Sequence, residues 1–355
     1  MFLVDELVCD VPDLGILFDK NALFLDIETT GLSARNAGLY LVGVVYEKDG
    51  VWRYRQWFAD SVRDEQDLLK SFSEFAAGYE TLVHFNGTTF DLPFLKACAK
   101  QYHMELGLED KKSVDLYSSL RPLKGFLGMN SLKQKAFEER IGIFREDKFS
   151  GGELIEVYKN YVKEPSDEAK ELLLLHNRDD LLGMLKVAEL LRFEKIFGGD
   201  FVLKSVDVDE ADERVRLQLS IGDGLKAPVS VEYTCACDRA NEETELEETE
   251  SGENESDFEL HMEEQNITID LPEKGGQVKL FFSDYKNYFY LPDEDKAVHK
   301  SVGVYVDSHF REKATFETAY QWVSLDLLKS NPQQMNVFLH SLFEHYIFGG
   351  KIKIK

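Results

Sequence analysis

The chain has 355 residues, which at about 150 residues per domain suggests roughly two domains. It is 43% hydrophobic, with 25 Phe and 15 Tyr. That is material for a sizeable core and excludes a largely disordered chain. The net charge of −25 argues against a generic phosphate binder, and no run of about 18 apolar residues offers a membrane span.

The acidic N-terminal stretch, with Asp5, Glu6 and Asp10, lacks the basic start of an export signal, so a cytoplasmic protein is expected. The 4 cysteines, Cys9, Cys98, Cys235 and Cys237, are too few and too scattered for a disulfide framework. Cys235-Ala-Cys237 has no second pair to complete a zinc site. The negative charge is uneven. Residues 241–264 hold twelve acidic residues and no Lys or Arg, whereas basic residues outnumber acidic ones from Lys96 to Lys148. Local distribution, not bulk charge, must decide the partner.

After an extension over 1–19, residues 22–58 read as three strands, ALFLDI, YLVGVVYE and VWRYRQWF. Asp49-Gly50 sits between the last two as a hairpin turn. A helix is predicted over 62–78, a buried strand at 81–85, a helix over 91–102 and a strand near 112–116. Further helices are predicted at 131–140, 152–162 and about 167–193. This order describes an α/β domain over 20–197, a mixed five-stranded sheet flanked by helices. From residue 200 short β-type runs follow, with Lys274-Gly275-Gly276 as a hairpin turn and helices near 315–329 and 335–347. They suggest a smaller α+β domain over 200–355, in which 241–264 forms a mobile acidic loop.

The informative chemistry is acidic. Asp26 and Glu28 end the first strand and point the same way, while Ile27 enters the core. Such a pair is either solvated at a strand edge or compensated by a hard cation. Asp91 begins a helix, where a carboxylate is favoured in any case; Asn86 and Gly87 before it read as a turn that brings backbone close to a ligand. His176 and Asp180, at i and i+4, share a face of the long helix. Gly183 continues that stripe and removes bulk, while Asp179 points aside as a salt-bridge or solvent residue. Leucines surround Asp180, and a carboxylate in apolar surroundings needs a partner. Asp26, Glu28, Asp91 and Asp180 are therefore candidates to meet around one or two cations.

These segments resemble the DEDD 3′–5′ exonucleases of the ribonuclease H-like superfamily. Asp26-Ile27-Glu28-Thr29-Thr30-Gly31-Leu32 is similar to their first motif. Asn86-Gly87-Thr88-Thr89-Phe90-Asp91, with Pro93 and Leu95, is similar to the second. His176-x3-Asp180 has the spacing of the Y-x3-D subclass, with His in place of Tyr; the four-residue spacing of the histidine subclass would end on Leu181. Ser131-Leu132-Lys133, the stretch from Gly142 to Asp147, and Gly151-Gly152 resemble the bacterial YprB-type branch. The resemblance covers about residues 20–195, and the later domain matches nothing with a function to carry over.

The resemblance implies a metal-dependent 3′–5′ exonuclease acting on DNA or RNA by a two-metal-ion mechanism. Asp26, Glu28, Asp91 and Asp180 would hold two Mg²⁺ or Mn²⁺ ions, and His176 would take the proton of the attacking water. Thr29, Thr30 and Leu32 would meet the terminal nucleotide of a single-stranded 3′ end, with Leu32 as an apolar wedge; Asn86 and Phe90 would shape the groove. Lys133, with Lys96, Lys100, Arg121, Lys124 and Lys135, is a candidate for following the phosphate backbone. The rival readings are a catalytically weak nucleic-acid-binding protein on the same fold, or one that recruits a protein partner through the C-terminal domain or the acidic loop.

Overall fold

The computed structural model describes residues 1–9, 11–15, 17–18, 21–145, 149, 151–233 and 258–349. The chain divides into two compact units, one of Met1–Pro122 with Ser131–Arg192 and one of Leu123–Asn130 with Phe193–Lys355.

In the first unit the strands are β1 (Phe2–Leu7), β2 (Ala22–Thr29), β3 (Leu39–Lys48), β4 (Val51–Phe58), β5 (Thr81–His84) and β6 (Lys112–Asp115). They form one sheet in the order β1-β4-β3-β2-β5-β6. β1 to β4 pair antiparallel, whereas β5 joins β2 in parallel and β6 joins β5 in parallel. The expected five strands are all present, and the stretch expected as an extension adds the sixth. β1 docks by polar pairing across β4: Asp5 accepts from Arg53 Nε at 2.6 Å and Arg55 Nε at 2.8 Å, and Tyr54 donates to Glu6 at 2.6 Å. The hairpin between β3 and β4 turns on Asp49 and Gly50, with φ of 54° and 79°, the left-handed pair that suits a two-residue connection.

The helices of this part are α1 (Glu65–Ala76), α2 (Asp91–Gln101), α3 (Leu116–Leu120), α4 (Gln134–Arg140), α5 (Gly151–Lys163) and α6 (Asp167–Val187); α7 (Arg192–Phe197) belongs to the second unit from Phe193 onward. Side chains alternate along β2. Leu23, Leu25 and Ile27 join the core formed with Leu69 and Phe72 of α1, Leu95 of α2 and Tyr158 of α5. Asp26, on the other side, meets α6 through Asn177. α6 starts where the sequence predicts, since Ser166 caps it by accepting from Ala169 N at 3.2 Å, with Asp167 and Glu168 in its first turn.

The second unit holds β7 (Val202–Asp209), β8 (Arg214–Tyr233) and β9 (Phe258–Pro272) as one antiparallel sheet. β10 (Gln277–Phe281), β11 (Tyr288–Leu291), β12 (Lys296–His299), α8 (Lys300–Gly303), β13 (Glu312–Lys313), β14 (Tyr320–Ser324), α9 (Leu325–Ser330) and α10 (Pro332–Leu342) follow. Two sequence expectations are corrected. The turn at Gly275 and Gly276 is formed as expected, with φ of 58° and 75° and Lys274 and Gln277 exchanging backbone hydrogen bonds across it, after which β10 pairs with β14. The helix expected over 315–329 is a strand in its middle: Tyr320-Gln321-Trp322-Val323 is aromatic and β-branched and finds β10 as partner. The acidic loop over 241–264 is strand from Phe258 onward, where Phe258, Leu260 and Met262 are buried on alternate positions of β9; residues 241–257, with Cys235 and Cys237, lie outside the described residues. Among the described residues no helix is long and apolar enough to cross a membrane.

Candidate active site

The end of β2 carries Asp26 and Glu28, and the start of α2 carries Asp91. His176 and Asp180 project from α6 one turn apart. Among the described residues Glu28, His176 and Asp180 form a group whose potential ligand atoms all lie within 4.8 Å of one another. His176 Nε2 is 3.3 Å from Asp180 Oδ2 and 3.6 Å from Glu28 Oε1. Asp91 is tied to the same strand, since the Ile27 amide donates to its Oδ1 at 3.2 Å.

Electrostatics brings Asp26 into the same neighbourhood. Burial pushes its carboxyl well above the usual range, and the charges of Asp180, Asp91 and Glu28 push it the same way. Burial likewise raises Asp91 to about 7, with Asp115 and Asp180 adding to the shift and backbone amides opposing it. Asp180 is raised by burial, against the lowering influence of Arg145 and His176. Carboxylates that hinder each other's ionisation in one buried place have the donor set and the unmet charge that a hard divalent cation satisfies.

Several groups that hold the site in place were not singled out in the sequence. Asn177, fully buried, donates to Asp26 Oδ2 at 2.7 Å and accepts at its Oδ1 from Gln56 at 2.9 Å. Gly43, paired with Asp26 across β2 and β3, makes this possible, because a Cβ there would lie 2.0 Å from Asn177 Oδ1. The Tyr40 hydroxyl donates to Glu28 Oε2 at 3.5 Å. Arg145 pairs with Asp180 at 2.5 Å and with the fully buried Glu138. Gly183 does provide clearance, and the room goes to Glu138, whose Oε1 lies 1.9 Å from where a Cβ would stand. Asp179 has Arg178 at 3.5 Å. A lone glycine inside α6 and an asparagine beside His176 were the only sequence signals of this arrangement.

The residues expected to meet substrate are placed less uniformly. Thr29 is buried and donates to Gly31 O at 2.8 Å; Thr30 Oγ1 accepts from Gly38 N at 2.8 Å, closing the loop after β2. Leu32 on that loop is 88% exposed. Lys133 is exposed immediately before α4, and Phe90 packs partly into the core. Asn86 is exposed with φ 61°, in a turn fixed by Asp115, which accepts from the amides of Asn86, Thr88 and Tyr117. Gly87 is not the open approach to a ligand that the sequence suggests: its space is filled by the His84 ring, 2.7 Å from a would-be Cβ.

Residues 23–192 match a family model described as RNase_H superfamily. Similar solved structures include the family B DNA polymerase of the hyperthermophilic archaeon Pyrobaculum calidifontis, at 18% identity over 48% of this chain and 24% of that one, with a TM-score of 0.39. E. coli exonuclease I in complex with a dT13 oligonucleotide is similar at 11% identity over 59% of this chain and 54% of that one, with a TM-score of 0.33. The zinc-bound form of the E. coli ExoI–ssDNA complex is similar at 10% identity over 92% and 70%, with a TM-score of 0.33. The chain thus spans about a quarter of the polymerase and about half of the dT13-bound exonuclease. No curated protein matches it. Taken with the sheet order β1-β4-β3-β2-β5-β6 and its flanking helices, the match makes residues 23–192 a ribonuclease H-like domain.

Proposed function

We propose that this chain is a metal-dependent nuclease that removes nucleotides from the 3′ end of single-stranded DNA or RNA. One observation carries the reading: carboxylates from three separate elements, β2, α2 and α6, converge beside His176, with ligand atoms of Glu28, His176 and Asp180 within 4.8 Å of one another and Asp91 bonded to the Ile27 amide of the same strand. In this reading Asp26, Glu28, Asp91 and Asp180 hold two Mg²⁺ or Mn²⁺ ions. When bound, such ions supply the positive charge and Lewis acidity that phosphodiester hydrolysis requires.

The chain's own groups do the rest. Asn177 and the Ile27 amide fix Asp26 and Asp91. His176 Nε2 receives the proton of the attacking water. Thr29 and Thr30 shape the loop after β2, and the exposed Leu32 presses on the terminal nucleotide. Asn86 and Phe90 border the groove, and Lys133 meets a phosphate.

The test uses end-labelled single- and double-stranded DNA and RNA with Mg²⁺, Mn²⁺ or EDTA, read as a product ladder. Shortening from the 3′ end is expected with either metal and none with EDTA, and Asp180→Asn should abolish it in a folded chain. Hydrolysis that persists in EDTA or in the Asp180→Asn variant would remove the metal site from the mechanism.

A further inference from the structure

We infer that the Glu138–Arg145 pair is a brace that holds the Asp180 carboxylate in the orientation a cation needs, which makes Arg145 and Glu138 positioning residues of the site. The inference rests on the metal reading above and adds two residues to it.

The Arg145 side chain is 7% exposed and that of Glu138 is 0% exposed. Charges at that depth are tolerated only when they are paired and hydrogen-bonded, and here the whole guanidinium fork is used. Nε and Nη2 meet the two oxygens of Glu138, the second at 2.6 Å, and Nη1 reaches Asp180 Oδ1 at 2.5 Å. The other Asp180 oxygen, Oδ2, is the one near His176, at 3.3 Å. The two oxygens are thereby given different tasks, one held by the brace and one turned toward His176 and Glu28.

The seat of the brace is built into two helices and a turn. Gln134 donates to Glu138 Oε1 at 2.8 Å and to the Asp180 backbone oxygen at 2.7 Å, tying α4 to α6 at the functional residue. Gly183 leaves the space that the Glu138 carboxylate fills. After α4 the chain reverses at Gly142, with φ 80°, and Ile143 N donates to Glu138 O at 2.8 Å. That leads the chain directly into Arg145.

Charge decides between a brace and a plug. An arginine alone beside Asp180 would compete with an incoming cation. Paired with Glu138 it is neutral overall, so the charge of the carboxylate cluster is left for the metal while Asp180 is held in place. Partners that orient a metal ligand in this way are typically worth about 10- to 100-fold in metal affinity. A lysine has no planar fork and cannot make the three contacts at once.

The experiment is calorimetric titration of the full chain with MnCl₂ alone, comparing wild type with Arg145→Lys and Glu138→Gln, each checked for folding by circular dichroism. The brace predicts that Mn²⁺ affinity falls about 10- to 100-fold in Arg145→Lys and falls as well in Glu138→Gln, which keeps the volume of the seat but leaves the arginine charge uncompensated beside Asp180. It also predicts that excess Mn²⁺ restores nuclease turnover at unchanged KM for the oligonucleotide, which general loosening of the fold would not allow. Unchanged or tighter Mn²⁺ binding in either folded variant would overturn the brace and make Arg145 a plug or a bystander. A wild-type chain with no affinity for Mn²⁺ would overturn the metal site itself, and the brace with it.

Discussion

The Asp26 carboxylate is under two opposed influences. Burial and the charges of Asp180, Asp91 and Glu28 favour its protonated form, while the Asn177 amide, donating at 2.7 Å, favours the ionised one. A carboxyl whose surroundings favour its neutral form strains the fold whenever it ionises, a strain that its chemistry justifies. Asp26→Asn keeps the shape and an acceptor for Asn177 but can never take on the charge that its neighbours repel. With chelator present it is expected to melt higher than wild type, by about 2–4 °C for each kcal/mol of repulsion relieved, while nuclease activity with Mn²⁺ is lost. Thermal unfolding in EDTA beside an oligonucleotide assay checks both, and a variant that melts lower yet stays active would contradict the reading of Asp26. At this scale the sequence is informative about the groups that carry charge. Asp26, Glu28, Asp91, His176 and Asp180 stand at a strand end, a helix start and a helix face, positions that spacing makes candidates and the family resemblance joins into one set. It is uninformative about Gln56, Glu138, Arg145 and Asn177, because each is defined by a tertiary partner; Gln56 reads as an ordinary polar residue of β4 until its 1% exposure and its bond to Asn177 are known.

Between elements, the contact of β2 and β3 with α6 sets the site. Gly43 leaves the gap through which Asn177 reaches Asp26, and a Cβ there would also meet Leu181 Cδ1 at 2.7 Å. Gly43→Ala is therefore expected to destabilise the chain by about 1–3 kcal/mol, the usual cost of overpacking, and to displace Asn177. If that displacement is the cause of lost activity, Gly43→Ala and Asn177→Ala share it, and the double variant loses less than the sum of the two. Urea unfolding and turnover measured around this cycle decide the matter, with additive losses excluding the shared cause. The strands that sequence patterning found, β2 to β6, announce themselves by apolar alternation or by a turn such as Asp49-Gly50. β1 and β14 do not. Phe2–Leu7 is acidic and largely exposed, and its partners on β4, Arg53, Tyr54 and Arg55 among them, make a strand of it. β14 lies in a stretch that reads as helix until β10 supplies its register partners.

Across the whole molecule, the net charge of −25 says less than where the buried carboxylates sit, and pH is the handle that shows it. Asp91 is pushed up to about 7, chiefly by burial, whereas in the unfolded chain it titrates near 4. The native state therefore holds a proton that the unfolded state has released, and between about pH 4 and pH 7 this residue makes stability fall as pH rises. Other groups obscure the slope if it is read alone. His84 and His345 are both lowered by burial, and each contributes a stability that grows with pH up to about 6.5. The difference between wild type and Asp91→Asn cancels those histidines. With chelator, the variant should gain on wild type in melting temperature from pH 5 to pH 7.5, as unfolding of the wild type releases a proton that the variant does not carry. With Mn²⁺ at pH 7.5 the order should reverse, because cations then take the place of the proton and stabilise only the chain with its full set of ligands. A melting difference that stays flat with pH in chelator, or that Mn²⁺ leaves unchanged, would mean that Asp91 is neither strained in the metal-free fold nor part of a cation site.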